Sequence, residues 1–122
     1  MTNRNFNTPE DTVNTMIDSY NNRKVNLYLD SYSSKILENV SKAKAESAMN
    51  VIDERNGELK LQEINVDAQG SNATATVTIK LSIDFNGERM EKTNTVDLPL
   101  IEEDDGWKID NVNVIDPLPF VL

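Results

Sequence analysis

Between Ala73 and Phe85 the chain alternates apolar and polar residues without a break. Ala73, Ala75, Val77, Ile79, Leu81, Ile83 and Phe85 fall on one side; Thr74, Thr76, Thr78, Lys80, Ser82 and Asp84 fall on the other. An extended strand, whose side chains point to opposite faces in turn, buries such a set on one side. Asn86-Gly87 follows at once, and both residues of a two-residue hairpin turn must tolerate positive φ. The turn fixes the partner strand and its register: Ile83 opposite Met90, Val77 opposite Val96, Ala75 opposite Leu98. On the other face Asp84 meets Arg89 and Thr78 meets Thr95, both favourable cross-strand pairs. A one-residue slip would turn every inward residue outward, so the register is strongly specified.

Before Gly57 the period is helical. Thr8-Pro9-Glu10-Asp11 is a helix start, with a capping hydroxyl and a proline at the first helical position. Val13, Met16, Ile17 and Tyr20 follow on one stripe, predicting a helix over 9–22. Val25, Tyr28, Leu29 and Tyr32 predict a shorter one over 24–32, and Lys35-Ile36-Leu37 reads as a connector or a single turn. Ser41 caps a third helix over 42–55, with Ala45, Ala48, Met49 and Ile52 inward and Asn56-Gly57 as its stop. The sheet half reads as strands over 58–68, 73–85, 88–101 and 107–114. In the first, Leu59 and Leu61 lie on one parity and Ile64, Val66 and Ala68 on the other, which predicts a bulge near Gln62-Glu63. The expectation is one α+β domain over 8–122, three N-terminal helices packed on a bent four-stranded antiparallel sheet, with residues 1–7 as a flexible leader.

Composition removes several chemistries. With neither cysteine nor histidine, the chain has no thiol nucleophile, no Cys/His zinc site and no Ser-His-Asp triad. No metal site and no cofactor is expected. The net charge of −9 is carried by the sheet half: residues 1–56 hold 8 acids and 7 bases, residues 57–122 hold 13 acids and 5 bases. Such a surface repels phosphate backbones and anionic membranes, so no nucleic-acid partner is expected. No apolar run is long enough to predict a membrane span, and Met1–Thr8 have no apolar signal-like segment, although a chain trimmed after export would look the same.

The order and lengths of the elements resemble the nuclear-transport-factor-2-like, cystatin-like cone superfamily. The residues that carry this are Thr8-Pro9-Glu10-Asp11-Thr12-Val13, the break Asn21-Asn22-Arg23-Lys24-Val25, and Asp105-Gly106-Trp107-Lys108-Ile109-Asp110. They are similar to positions of small domains found mostly in bacterial cell-envelope proteins, which implies a bacterial protein, a lipoprotein among the possibilities, and favours an extracytoplasmic place over the cytoplasm. The resemblance implies either a non-catalytic binding domain or an isomerase, dehydratase or cyclase. In the latter a carboxylate moves a proton while a helix tyrosine holds an enolate oxygen.

Lys92 and Asn94 interrupt the inward face of their strand, between Met90 and Val96. Polar groups there line a wet cavity or lie where the sheet runs past its helices. With Tyr20 and Tyr32 approaching from the helices, and Trp107 as core or wall, the candidate ligand pocket is Tyr20, Tyr32, Met90, Lys92, Asn94 and Trp107. No catalytic residue is assigned, because Asp84, Glu91 and Asp97 have outward parity and Asp18 and Asp30 read as solvated helix positions. Glu102–Asp105 lacks the spaced ligands of a calcium loop. The reading is a non-enzymatic small-molecule-binding or protein-interaction module. Its alternatives are the tyrosine-and-carboxylate enzyme and a structural domain that forms a homodimer through the threonine-rich outer sheet face. The apolar tail, Val112–Leu122, is expected to dock on the domain or extend the last strand.

Overall fold

A computed structural model describes residues 4–38 and 40–110. A short 3-10 turn, Arg4–Phe6, leads into α1 (Pro9–Asn21), α2 (Val25–Asp30), α3 (Ser34–Leu37) and α4 (Lys42–Glu54). One sheet follows, β1 (Glu58–Gln69), β2 (Asn72–Phe85), β3 (Glu88–Glu103) and β4 (Gly106–Ile109), antiparallel and in sequence order.

The caps of α1 and α4 are the ones the sequence specifies. Thr8 is extended, and its hydroxyl accepts from the Asp11 N–H at 3.1 Å, with Pro9 opening α1. Ser33 and Ser41 cap α3 and α4 in the same way. Ser33 caps one complete turn, so of the two readings of Lys35–Leu37 the single helical turn is the one the structure has.

The hairpin register is as expected. Ile83 pairs with Met90, Val77 with Val96, Ala75 with Leu98, Asp84 with Arg89 and Thr78 with Thr95. The β1–β2 register shifts between Leu61 and Glu63, the predicted bulge, which returns Ile64 and Val66 to the inner face opposite Val77 and Ala75. That face is covered by Val13, Met16, Ile17 and Tyr20 of α1, by Tyr28 and Tyr32, and by Met49 and Ile52 of α4.

Two expectations need correction. Residues 1–7 are not all leader: Phe6 is 1% exposed, the Asn5 carbonyl accepts from the Thr15 hydroxyl at 2.8 Å, and the Lys108 ammonium sits 3.8 Å above the Phe6 ring. A lone aromatic in a polar stretch has no periodicity to announce it. Secondly, β4 ends at Ile109, where its outer edge is occupied by the α2–α3 junction. Ile109 N–H donates to Ser31 O at 2.8 Å, and Ser33 N–H donates to Ile109 O at 2.9 Å. The remainder of the expected strand, 111–114, and the apolar tail lie outside the described residues.

Candidate functional site

The three tyrosines meet inside the cone: α1 presents Tyr20, α2 presents Tyr28, and Tyr32 follows in the α2–α3 junction, bridged to Ile109. The Tyr20 and Tyr28 ring centroids are 6.3 Å apart, those of Tyr28 and Tyr32 5.3 Å, and Tyr32 Oη donates to Tyr28 Oη at 2.8 Å. Burial pushes the Tyr32 phenol well above its ordinary pKa, against the Tyr28 hydrogen bond. Burial also pushes Tyr20 up to about 12, opposed by the Arg23 charge. Both are neutral phenols at physiological pH. Trp107 is buried beside α1, its carbonyl accepting from the Thr12 hydroxyl at 2.7 Å.

The other three members of the expected pocket are elsewhere. Lys92 and Asn94 are exposed and Met90 is 42% exposed, although all three have inward parity. Their partners on β2, Leu81, Ile79 and Ile83, are buried. The helices therefore cover β2 but not this part of β3. Here the sheet runs past its helices, and the six residues do not line one cavity. Among the described residues no Asp or Glu is buried, and Asp18 and Asp30 are exposed on their helices. Among the described residues no cluster of three metal-ligating side chains occurs, and none of their helices is long and apolar enough to cross a membrane.

A polar cleft of about 470 Å³ opens instead where α1 ends, lined by Asn21, Arg23, Asn56, Gly57, Glu58, Asp84 and Arg89. Its walls are clamped. Arg23 is in the left-handed region (φ 59°), which lets Nη1 cap α1 through Tyr20 O at 2.9 Å and Asn21 O at 3.2 Å while Nε meets Asp53 at 3.3 Å. Arg89 donates to Asn56 O at 2.7 Å and Asp84 Oδ1 at 3.0 Å. Hydrogen bonds from Asn56 and Arg89 hold the Asp84 carboxyl below its usual range.

Behind Gly57 lies the Tyr20 hydroxyl, 3.4 Å from where a Gly57 Cβ would stand. It is the one buried side-chain polar atom among the described residues without a hydrogen-bond partner. A buried unsatisfied hydroxyl costs about 1–3 kcal/mol. Tyr20→Phe is therefore expected to stabilise the unliganded chain by about 1 kcal/mol in urea denaturation; a loss would mean the hydroxyl is satisfied by water. Sequence reading placed Tyr20 correctly on the inner stripe. It missed Arg23, Asn56 and Arg89, which read as helix-end and hairpin residues; the only sequence signal at the first two was an Asn beside a helix stop.

No family model matches this chain, and no curated protein matches it. Its shape is shared with solved structures. A protein of unknown function from Mycobacterium tuberculosis has a TM-score of 0.64 at 10% identity, over 82% of this chain and 64% of that one. A protein from Novosphingobium aromaticivorans assigned as a scytalone dehydratase has 0.60 at 11%, over 83% and 76%. A protein from Xanthomonas campestris assigned as a calcium/calmodulin-dependent protein kinase II association domain has 0.58 at 13%, over 86% and 85%. This chain thus spans less than two thirds of the first of these. At such identities the fold is what is shared, and it is the NTF2-like, cystatin-like cone.

Proposed function

We propose that this chain is a non-catalytic interaction module that self-associates through the β2–β3 part of its sheet. The carrying observation is the stretch of β3 from Met90 to Val96, exposed or half-exposed on a face whose β2 partners are fully covered. The assignment of one fold neighbour as an association domain supports the same reading. Against the enzyme alternative stands the absence of a buried carboxylate beside the tyrosines among the described residues, because proton abstraction needs a base within reach. The outer face, suggested by its threonines, is less suited to a dry interface. Its side chains satisfy one another, with Thr76 on Asp97 at 2.8 Å, Thr78 on Thr95 at 2.9 Å and Lys80 on Glu91 at 2.6 Å. Sedimentation velocity across the micromolar range is expected to show a concentration-dependent monomer–dimer equilibrium; a monomer at every concentration would overturn the reading.

One observation favours a second reading, small-molecule binding at the polar cleft. The unpartnered Tyr20 hydroxyl sits behind a glycine, next to two arginines whose Nη2 groups take no part in the observed bonds. If a ligand uses that hydroxyl, Tyr20→Phe weakens its binding while stabilising the free chain.

A further inference from the structure

The tripeptide Asn-Gly-Glu occurs twice in the chain, at Asn56–Glu58 and at Asn86–Glu88. Both asparagines lie in the left-handed region, at φ 52° and φ 50°. Local sequence and local backbone are therefore matched, and what differs is the surroundings.

An asparagine followed by glycine can lose its side-chain amide to its own main chain. The glycine nitrogen attacks the asparagine Cγ, a five-membered succinimide ring closes, and the Cγ–Nδ2 bond breaks. Ammonia departs with the proton that the glycine nitrogen gives up. Water then opens the ring at either carbonyl and leaves aspartate or isoaspartate. Glycine allows this because no side chain shields its nitrogen. Closure turns the Asn–Gly peptide plane until that nitrogen reaches Cγ, so every bond that pins the plane or the side-chain amide opposes it.

At Asn56 three bonds do so. Gly57 N–H donates to Ile52 O at 2.9 Å, Asn56 O accepts from Arg89 Nη1 at 2.7 Å, and Asn56 Nδ2 donates to Asp84 Oδ2 at 2.9 Å. Gly57 is also buried, with Ile52 packed against it. At Asn86 none of this holds. Phe85, Asn86, Gly87 and Glu88 are all exposed, and nothing lies within 4 Å of where a Gly87 Cβ would stand. Among the described residues neither the Asn86 side chain nor the Asn86–Gly87 peptide has a hydrogen-bond partner. The turn lies beyond Phe85–Glu88, the last pair of the ladder, so a strand laid along either edge of the hairpin leaves it uncovered. Loop tips of this kind open locally at little cost.

We propose that Asn86 is a self-modification site: in the folded chain it converts through the succinimide to aspartate and isoaspartate, while the fold keeps Asn56 intact. Conversion makes the net charge of −9 one unit more negative. The isoaspartate product also routes the main chain through the former side chain. That lengthens by one carbon atom the turn that sets the register of β2 against β3. Asp84 and Arg89, the first pair on the outer face behind that turn, are walls of the polar cleft, so a change at the turn reaches the cleft from outside it.

Trypsin separates the two sites, because Leu81–Arg89 carries one and Asn56–Lys60 the other. The folded full-length chain is held at mildly alkaline pH and physiological temperature, and samples are digested at intervals and analysed by mass spectrometry. The peptide Leu81–Arg89 is expected to gain one mass unit at least tenfold faster than Asn56–Lys60, a ratio that breaking two of the three bonds at Asn56 suffices to produce. It is also expected to separate by chromatography into two products of equal mass. In concentrated urea the two rates are expected to converge, because the tripeptides are identical. Equal rates in the folded chain, or a faster Asn56, would overturn the proposal. An Asn86 that stays intact in the folded chain but reacts in urea would overturn it too, since the turn would then hold the nitrogen away from Cγ. A ratio that persists in urea would trace the difference to the preceding residues, Arg55 and Phe85, and not to the fold, with the same consequence.

Discussion

Gly106→Ala is expected to destabilise the fold by about 3 kcal/mol or more, from strain in a backbone region that excludes side chains together with a steric clash. Gly106 has φ +127°, and a Cβ there would clash with the Phe6 carbonyl oxygen and stand 2.6 Å from Phe6 Cβ. Neither contact is with the far end of a flexible side chain, so the clash is relieved only by moving the Arg4–Phe6 turn. That movement takes Phe6 from its buried site beneath Lys108 and disturbs the Asn5 carbonyl that Thr15 holds. Truncating a buried phenylalanine costs about 3–5 kcal/mol. Gly70→Ala is the control for strain alone: its φ is +64° and nothing lies within 4 Å of the added carbon, so a loss of about 1 kcal/mol is expected. Chemical denaturation of both variants, and of Phe6→Ala with and without Gly106→Ala, separates the two causes. If Phe6 is what the new methyl displaces, the pair is strongly non-additive. Additive losses would show that the turn absorbs the methyl without losing Phe6.

The Phe6–Gly106 contact also marks where sequence reading stops. The sheet was legible in detail, because an alternation of period two plus Asn86-Gly87 leaves no freedom in register, and every cross-strand pair expected from the turn is present. The β1 bulge was legible because the parity of Leu59 and Leu61 conflicts with that of Ile64 and Val66. Phe6 was not, because its burial depends on a long-range contact with a turn about a hundred residues away. The candidate pocket was half legible. Parity correctly turned Lys92 and Asn94 to the inner side, but parity does not say how far the helices reach. Where α1 and α4 stop, inward ceases to mean buried. The cleft escaped because its residues act through backbone conformation: Arg23 and Asn56 adopt positive φ, at 59° and 52°, and no periodicity reports that.

The same boundary at the end of α1 carries the second large effect, Asn21→Leu, expected to cost about 2–3 kcal/mol as two hydrogen bonds are lost and two backbone groups are left without them. β1 is an edge strand, and its Leu59 N–H and C=O turn away from β2 in the absence of a neighbouring strand. The Asn21 amide takes the place of that strand: Leu59 N–H donates to Asn21 Oδ1 at 2.8 Å, and Asn21 Nδ2 donates to Leu59 O at 2.9 Å. A side-chain amide suits this because it offers one acceptor and one donor, as a peptide unit does. Leucine keeps the approximate size and removes both, at a half-buried site beside a fully buried Leu59 side chain, where water replaces them poorly. Denaturation measures the total loss. Hydrogen exchange locates it: the Leu59 amide is expected to exchange at least tenfold faster in the variant, beyond any general acceleration, while amides in the centre of β2 change only with global stability. An unchanged Leu59 protection factor would sink the assignment, since the amide would then owe its protection to burial and not to Asn21. Because Asn21 also lines the polar cleft, a ligand bound there is expected to lose affinity in this variant as well, through a displaced wall.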